Sequence, residues 1–320
     1  MQTLQILLME NLTFNSPILE IEGLKVTQQS LYPVFVIMLL IYMFVMVANV
    51  GIIVIITLEK SLHEPMYILF CNLPFNDVLG NTILIPRLLT DLLKPEAEKL
   101  ISYAECVVQA VFAHLFGTTS HTILMIMAFD RYVAICNPLR YATIMSNRTV
   151  VLLSVSAWGV SAVLVAILLG LTIRLNRCRT LIANPYCDNA SLFKLSCENV
   201  AINNVYGLMF SVVLLTLSMG SMALTYSKIT AVCLSSKSKG LSSKALQTCS
   251  SHLTAYLVIL AAGGVVAILH RFPEHSEYRK PASVLLAVIP GVLNPLIYGI
   301  QSKEIRRTIT SLFPSNKVLA

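Results

Sequence analysis

Charge is what this chain lacks first. Lys, Arg, Asp and Glu make up 12% of its residues, against about 25% in a soluble globular protein. Too few charges remain to coat a water-facing fold of 320 residues, so lipid must be the solvent for most of the chain. The formal net charge of +7 does not argue for nucleic acid, because Lys and Arg are scattered through short segments with no run of five or more. There is no phosphate-cradling glycine motif and no C-x-x-C pair. There is also no His/Cys cluster at metal-ligand spacing, and no nucleophile–base pair with a supporting signal. An enzyme reading therefore has no residues to rest on, and no cofactor is implied. Internal repeats are missing as well, which counts against a transporter built from repeated halves.

Long apolar runs are there in their place: 56% of the residues are hydrophobic and the mean hydropathy is +0.75. A spanning helix needs roughly 20 apolar residues. Hydropathy predicts spans at roughly 31–58, 66–93, 103–136, 148–173, 199–226, 245–270 and 281–300. The runs alternate too little for barrel strands, and a lone helix satisfies its own backbone in lipid. The expected fold is an all-α membrane protein, a seven-transmembrane helix bundle. Residues 1–30 form an N-terminal segment, 31–300 the bundle, and 301–320 an interfacial helix with a tail. Pro86, Pro138, Pro290 and Pro295 fall late in or just after spans, where they kink or end helices. In the last segment Ile305, Ile309, Leu312 and Phe313 share one face, apart from Lys303, Arg306 and Arg307. That pattern suits a short helix lying in the membrane interface. The stretch Met1–Met9 lacks the basic start and small-residue cleavage site of a signal peptide, so the first span is expected to act as an uncleaved anchor.

Orientation rests on cysteine, because Lys and Arg divide almost evenly between the two faces. Cys106 opens the third span, and Cys178, Cys187 and Cys197 sit between spans four and five, on the same face as the N-terminus. Four cysteines on one face permit two disulfides, and disulfides need an oxidising compartment. The sequons at Asn11 and Asn189 lie on that face too, while the one at Asn147 lies opposite and is expected to be unmodified. The N-terminus is thus expected outside the cell, in a multi-pass plasma-membrane protein. Which of the three pairings the four cysteines adopt is open at this level.

Polar groups held in lipid are costly and therefore functional candidates. Asn49 lies mid-membrane in span one and Asp77 in span two. Asp130-Arg131-Tyr132 ends span three, and Asn294-Pro295-Leu-Ile-Tyr298 closes span seven. In this order, and on these spans, the chain resembles a rhodopsin-like G-protein-coupled receptor. The segments Pro65-Met-Tyr-Ile-Leu-Phe70, Met127-Ala-Phe-Asp-Arg-Tyr-Val-Ala-Ile-Cys136, Lys244-Ala-Leu-Gln-Thr-Cys-Ser-Ser-His-Leu253 and Pro295-Leu-Ile-Tyr298 are similar to the signatures of vertebrate odorant receptors. His270-Arg271-Phe272 and the spacing of the loop cysteines look most like the fish-like, or class I, branch.

The resemblance implies Asp130 holding Arg131 at rest, span six swinging outward on activation, and Arg131 then lining a cavity for a G-protein α subunit. Tyr132, Asn294, Pro295 and Tyr298 belong to the same switch. The implied partners are a small organic odorant, a stimulatory olfactory-type G protein acting through cyclic AMP, and membrane lipid. The implied disulfides are Cys106–Cys187 and Cys178–Cys197. The implied ligand site lies between the outer halves of spans three, five, six and seven. Helical spacing aligns Ala110, Ala113, His114, Gly117 and Thr118 on span three, and Leu260, Gly263, Gly264, Ala267 and Arg271 on span six. Such small residues serve either tight helix packing or cavity lining. The candidate lining residues are His114, Gly117, Thr118, Leu260, Gly264, Ala267 and Arg271. Arg271 either binds a carboxylic acid with its planar fork or snorkels to the interface, and His114 either meets the same ligand or is satisfied within the core.

Three positions depart from the family pattern. Ser120 stands where many relatives carry Glu, leaving Asp77 as a candidate sodium ligand without a second carboxylate. Leu260 stands where the family usually has Tyr. No Cys follows Cys249, which excludes palmitoylation of the interfacial helix. The rivals are a receptor of the same architecture for a non-odorant small molecule or lipid, and a membrane transporter. An amine receptor would carry an acid in the outer third span, and Val107–Thr119 has none.

Overall fold

The computed structural model describes residues 14–235, 239–269 and 276–312. Seven long helices run through it: α1 (Gln28–Leu58), α2 (Pro65–Leu93), α3 (Tyr103–Cys136), α4 (Asn147–Ile173), α5 (Ala201–Ser235), α6 (Lys239–Leu269) and α7 (Ser276–Gln301), followed by the short α8 (Lys303–Leu312). Six are long and apolar enough to cross a membrane, and α6 carries a shorter apolar stretch, His252–Val266. The seven-helix bundle expected from hydropathy is therefore present. The helices run past the apolar runs at the C-terminal face, α5 to Ser235 and α6 from Lys239. Nothing from Ser227 to Ser235 is a proline or glycine that would stop α5, and hydropathy marks only the greasy part of a helix.

Helix starts follow local chemistry. Ser102 and Glu105 form a capping box on α3, each side chain accepting the other's backbone N–H at 3.2 Å. Pro65 occupies the first turn of α2, where its missing N–H costs nothing. On α1 the buried residues Val45, Asn49, Ile52 and Ile56 recur every three or four positions. The other faces of α1 expose Leu40 and Val47, as α4 exposes Leu152 and α5 exposes Leu217. The interior is apolar too, but it gathers the polar groups of the spans: Asn49, Asn76, Asp77, Asn81, Asp130, Ser218 and Asn294 are all buried. Apolar side chains cover the outside and the polar ones are kept within, the arrangement for a bundle whose solvent is hydrocarbon.

Ile305 of α8 is buried in the core shared by α1 to α6, and Ile309 packs against it. Tyr67 at the start of α2 donates to Glu304 at 2.9 Å, pinning α8 under the bundle. Ile305 and Ile309 thus share the expected apolar face, which packs on the core; Phe313 lies outside the described residues.

One element went unforeseen. At the N-terminal face β1 (Ile18–Ile21), β2 (Leu100–Ser102) and β3 (Leu181–Ile182) form a sheet of order β2-β1-β3. β1 pairs antiparallel with β2, Leu19 opposite Ile101, and parallel with β3, Ile21 beside Ile182. Leu19 and Ile21 point down into a core with Cys106, Val165 and Leu168, while Ile18 and Glu20 face out. The N-terminal segment is therefore a strap across that face. Gly23, at φ +69°, turns the chain off the strap toward α1, a backbone angle that suits glycine.

Candidate functional site

Two disulfides organise the N-terminal face. Cys106 at the top of α3 is joined to Cys187, and Cys178 to Cys197. Gln109, one turn below Cys106, accepts the N–H of Cys187 at 2.8 Å. His114 accepts the N–H of Asn189 through Nε2 at 3.1 Å. The loop after α4 is thereby laid down along α3 and continues into a short helix, Asn189–Phe193, capped by Asp188.

Asn189 is buried, and its Oδ1 accepts from Thr172 at 2.6 Å, with Asn203 donating to the same hydroxyl at 3.1 Å. The amide of this expected glycan acceptor is thus tied between α4 and α5 through its oxygen. Asn11 lies outside the described residues.

The stripe on α3 divides. Ala110 and Thr118 are buried, and the Thr118 hydroxyl donates to the carbonyl of His114 at 2.8 Å. Gly117 opens on space, with no atom within 4 Å of where a Cβ would stand. On α6, Gly263 and Gly264 are open in the same sense, whereas Leu260 packs against the main core. Ala267 sits in α6 with its side chain undescribed, and Arg271 lies outside the described residues. His114 is thus a loop anchor, and the open positions are glycines.

Tyr256 was missed by sequence reasoning. One turn inward of Leu260, it is fully buried, shares a hydrogen bond with Ser218 of α5 at 2.9 Å, and meets the His121 ring edge-on at 5.9 Å between centroids. An aromatic group thus lies near the middle of α6 although Leu260 is not one. Reading four residues back along the helix face would have found it.

A second omission is the pair Arg279 and Lys280 at the top of α7, both buried. Lys280 reaches Glu22 of the strap at 3.0 Å and Glu277 at 3.7 Å. Burial works against the Glu22 carboxylate, yet hydrogen bonds from Lys25 and Lys280 outweigh it and hold Glu22 below its ordinary range. Arg279 donates through Nη2 to Asn184 Oδ1 at 2.8 Å and to the Ala183 carbonyl at 3.2 Å. Charges at the end of a span read as interface markers in a sequence, so nothing flagged them.

In the middle of the bundle Asn294 donates to Asp77 Oδ2 at 2.8 Å. Asn49 donates to the carbonyls of Val45 and Gly291, both at 2.8 Å, joining α1 to α7. Asp77 Oδ1 and the side-chain oxygens of Asn49, Asn81 and Asn294 are buried without a hydrogen-bond partner. Unpaired buried oxygens from one carboxylate and three amides are the donor set of a hard cation. Ser120 is turned elsewhere, accepting from Asn76 at 3.0 Å and donating to the Phe116 carbonyl at 2.9 Å. Pro295 is buried beside Asn294 in α7; Tyr298 belongs to the same helix, its side chain undescribed.

At the C-terminal face Asp130 is 1% exposed. Arg131 donates to its Oδ2 through Nε at 2.9 Å and again through Nη2. Tyr141, in the connection after α3, donates to Oδ1 at 2.8 Å. Burial and the Asp130 charge raise the Tyr141 phenol far above its usual range, so it stays a donor. The electrostatic surroundings of Arg131 include Tyr226 of α5 and Cys249 and His252 of α6. Tyr132 turns its ring toward Lys228, at 5.7 Å. The arginine is thus held by its neighbour at a point where α3, α5 and α6 converge. Tyr141 carried no sequence signal, since only the fold brings it to Asp130.

Comparison with known proteins gives one consistent result. The profile of a protein family described as olfactory receptor matches residues 38–316. Mouse olfactory receptor 8G17 is 32% identical over 287 residues, covering 89% of this chain and 93% of its own length. Human olfactory receptor 52N2 is 32% identical over 281 residues, 87% of each chain. Human olfactory receptor 5D18 is 36% identical over 286 residues, covering 88% and 89%.

Proposed function

The chain belongs to the olfactory receptor family of G-protein-coupled receptors, which are not enzymes, and from that premise we propose a site, a switch and a direction for its signal. The N-terminal face lies outside the cell, at the plasma membrane. A small odorant binds in the outer half of the bundle, among α3, α5, α6 and α7, above Tyr256. Its binding opens the Asp130–Arg131 latch, and the freed guanidinium engages a stimulatory G protein that raises cyclic AMP. A ligand moves this equilibrium only by its differential affinity for the open state.

The observation that carries the reading is the latch itself. A buried carboxylate is shared between Arg131 and Tyr141 at the crossing of α3, α5 and α6. It is remote from the loop-covered end, lying at the opposite end of α3 from Cys106. The orientation is supported by the two disulfides on one face. Asp77 with Asn49, Asn81 and Asn294 would hold a sodium ion, whose charge would satisfy their unpaired oxygens and stiffen the resting arrangement. Asn11 is the glycan acceptor of the strap side.

The test is a screen of cyclic AMP in transfected cells across acids, amines, alcohols and aldehydes, with receptor at the surface quantified by an N-terminal tag read without permeabilisation. Some odorant should raise cyclic AMP, and Arg131→Ala should abolish the response at matched surface level. An odorant response that survives Arg131→Ala, or that persists as a current with G-protein signalling blocked, would overturn the latch or the coupling.

A further inference from the structure

Arg279 presents an imbalance that its neighbours do not resolve. Its side chain sits at the top of α7 with 6% of its surface exposed. Of the five N–H groups of a guanidinium, the two on Nη2 are used, both on neutral oxygens of the loop after α4. The Nε–H is buried with no acceptor, and Nη1 makes no hydrogen bond among the described residues. No acid of the described residues pairs with Arg279, for Glu22 and Glu277 go to Lys280 and Lys25. Asp188 is a step removed, with Asn184 between the two: Asn184 accepts from Arg279 and donates to Asp188 at 3.2 Å. Loop pinning alone would be served by a neutral amide such as Gln. A buried cation without a counter-ion is costly, and its cost falls when an anion enters.

The surroundings supply the rest of a site. Ser283 lies one turn further along the same face of α7 and is buried. The phenol of Tyr186, from the loop, comes down beside Ser283. The neighbouring buried cation, Lys280, is matched by Glu22 and Glu277, so the unmatched charge here is that of Arg279. We propose that Arg279 is the anion-recognising group of the outer ligand site. It takes the carboxylate of a small organic acid on its Nε and Nη1 donors, with the hydroxyls of Tyr186 and Ser283 beside it. The inference rests on the reading of this chain as an odorant receptor with its site in the outer half, and it assigns that site a ligand class and a residue.

The experiment uses the full-length receptor purified into nanodiscs, without G protein. Thermal stability is followed with acetate, butanoate and octanoate, and with the methyl ester and alcohol of matching chain length, at constant ionic strength. The acids should stabilise the wild type and the esters and alcohols should not. Arg279→Gln should weaken acid binding by roughly tenfold to a hundredfold, the range for losing charge-assisted hydrogen bonds, and Arg279→Lys should retain part of it. Equal stabilisation by ester and acid in the wild type would overturn the proposal, whether or not the variants fold. So would acid binding unchanged in Arg279→Gln but lost in Arg271→Gln. Acid binding through Arg279 with no G-protein activation in cells would uphold the proposal and sink the coupling. Neutral odorants signalling fully while no acid binds would do the reverse.

Discussion

Replacing Gly80 by alanine tests how tightly α2 and α3 are packed. A Cβ at Gly80 would lie 2.5 Å from Cδ2, 2.6 Å from Cγ and 3.0 Å from Cβ of Phe116. Carbon atoms rest at about 3.5–4.0 Å, so the overlap is roughly 1 Å. It falls on the root of the Phe116 side chain, so swinging the ring tip away relieves little and the helices must separate. The same crossing carries the bonds from Asn76 to the Phe116 carbonyl and to Ser120, both 3.0 Å, and separation stretches them. Overpacking costs about 1–3 kcal/mol. Better helix propensity returns at most about 1 kcal/mol. An overlap of this size puts the cost at the upper end, so the expected net loss is about 2 kcal/mol, a fall of about 3 °C in melting temperature for a chain of 320 residues. The measurement is a thermal ramp of the purified receptor with a thiol-reactive dye, which reports exposure of the buried Cys233 and Cys249. Gly159→Ala is the control: nothing lies within 4 Å of its Cβ position, and it should melt with the wild type or above it. Phe116→Leu should recover part of the loss in the Gly80→Ala background. If Gly80→Ala and Gly159→Ala melt alike, the close approach of α2 to α3 is wrong.

Tyr141→Phe removes one hydrogen bond to the buried Asp130 carboxylate, worth about 1.5–3 kcal/mol. If that bond exists only at rest, ligand-free nucleotide exchange on the G protein should rise about tenfold or more, and unchanged basal exchange would remove Tyr141 from the latch. Glu22 is held below its unfolded value of 4.5, so its contribution is complete above that pH and fades as pH falls below it through the folded value. Hydrogen exchange in Ile18–Ile21 should therefore accelerate only in acid, and Glu22→Gln should make it fast at neutral pH; a strap equally protected in both proteins would break the link to Lys280. Glycosidase treatment should shift the wild type by one glycan, and Asn11→Gln should abolish the shift; any shift that depends on Asn189 would contradict its burial.

The spans were legible because lipid imposes a simple demand, an unbroken apolar stretch, and hydropathy reads that demand directly. Asp77, Asp130, Arg131 and Asn294 were legible for the complementary reason, as polar groups where polarity is costly. Tyr141 and Tyr256 were not, because each gains its role from a partner that only the fold supplies, Asp130 in one case and Ser218 in the other. At Asn189 the sequon reports three residues and says nothing of the bond from Thr172 to the amide oxygen. Arg279 and Lys280 hid among the ordinary charges that mark a helix end. The strap was invisible because four residues of alternating pattern carry almost no signal until their partners are known.

Those partners set a schedule for the strap. β1 ends at Ile21, but the residue beside it on β3 is Ile182, so the first-made part of the chain cannot be seated until four spans have been synthesised behind it. Its place also depends on the Cys106–Cys187 bond, which brings that loop to the top of α3. Until then Leu19 and Ile21 stand uncovered, the kind of exposed apolar surface that makes an unfinished chain prone to aggregate. A receptor closed in this order is finished only when its cap is, and its folded yield measures the completion of the cap as much as the strength of the bundle beneath it.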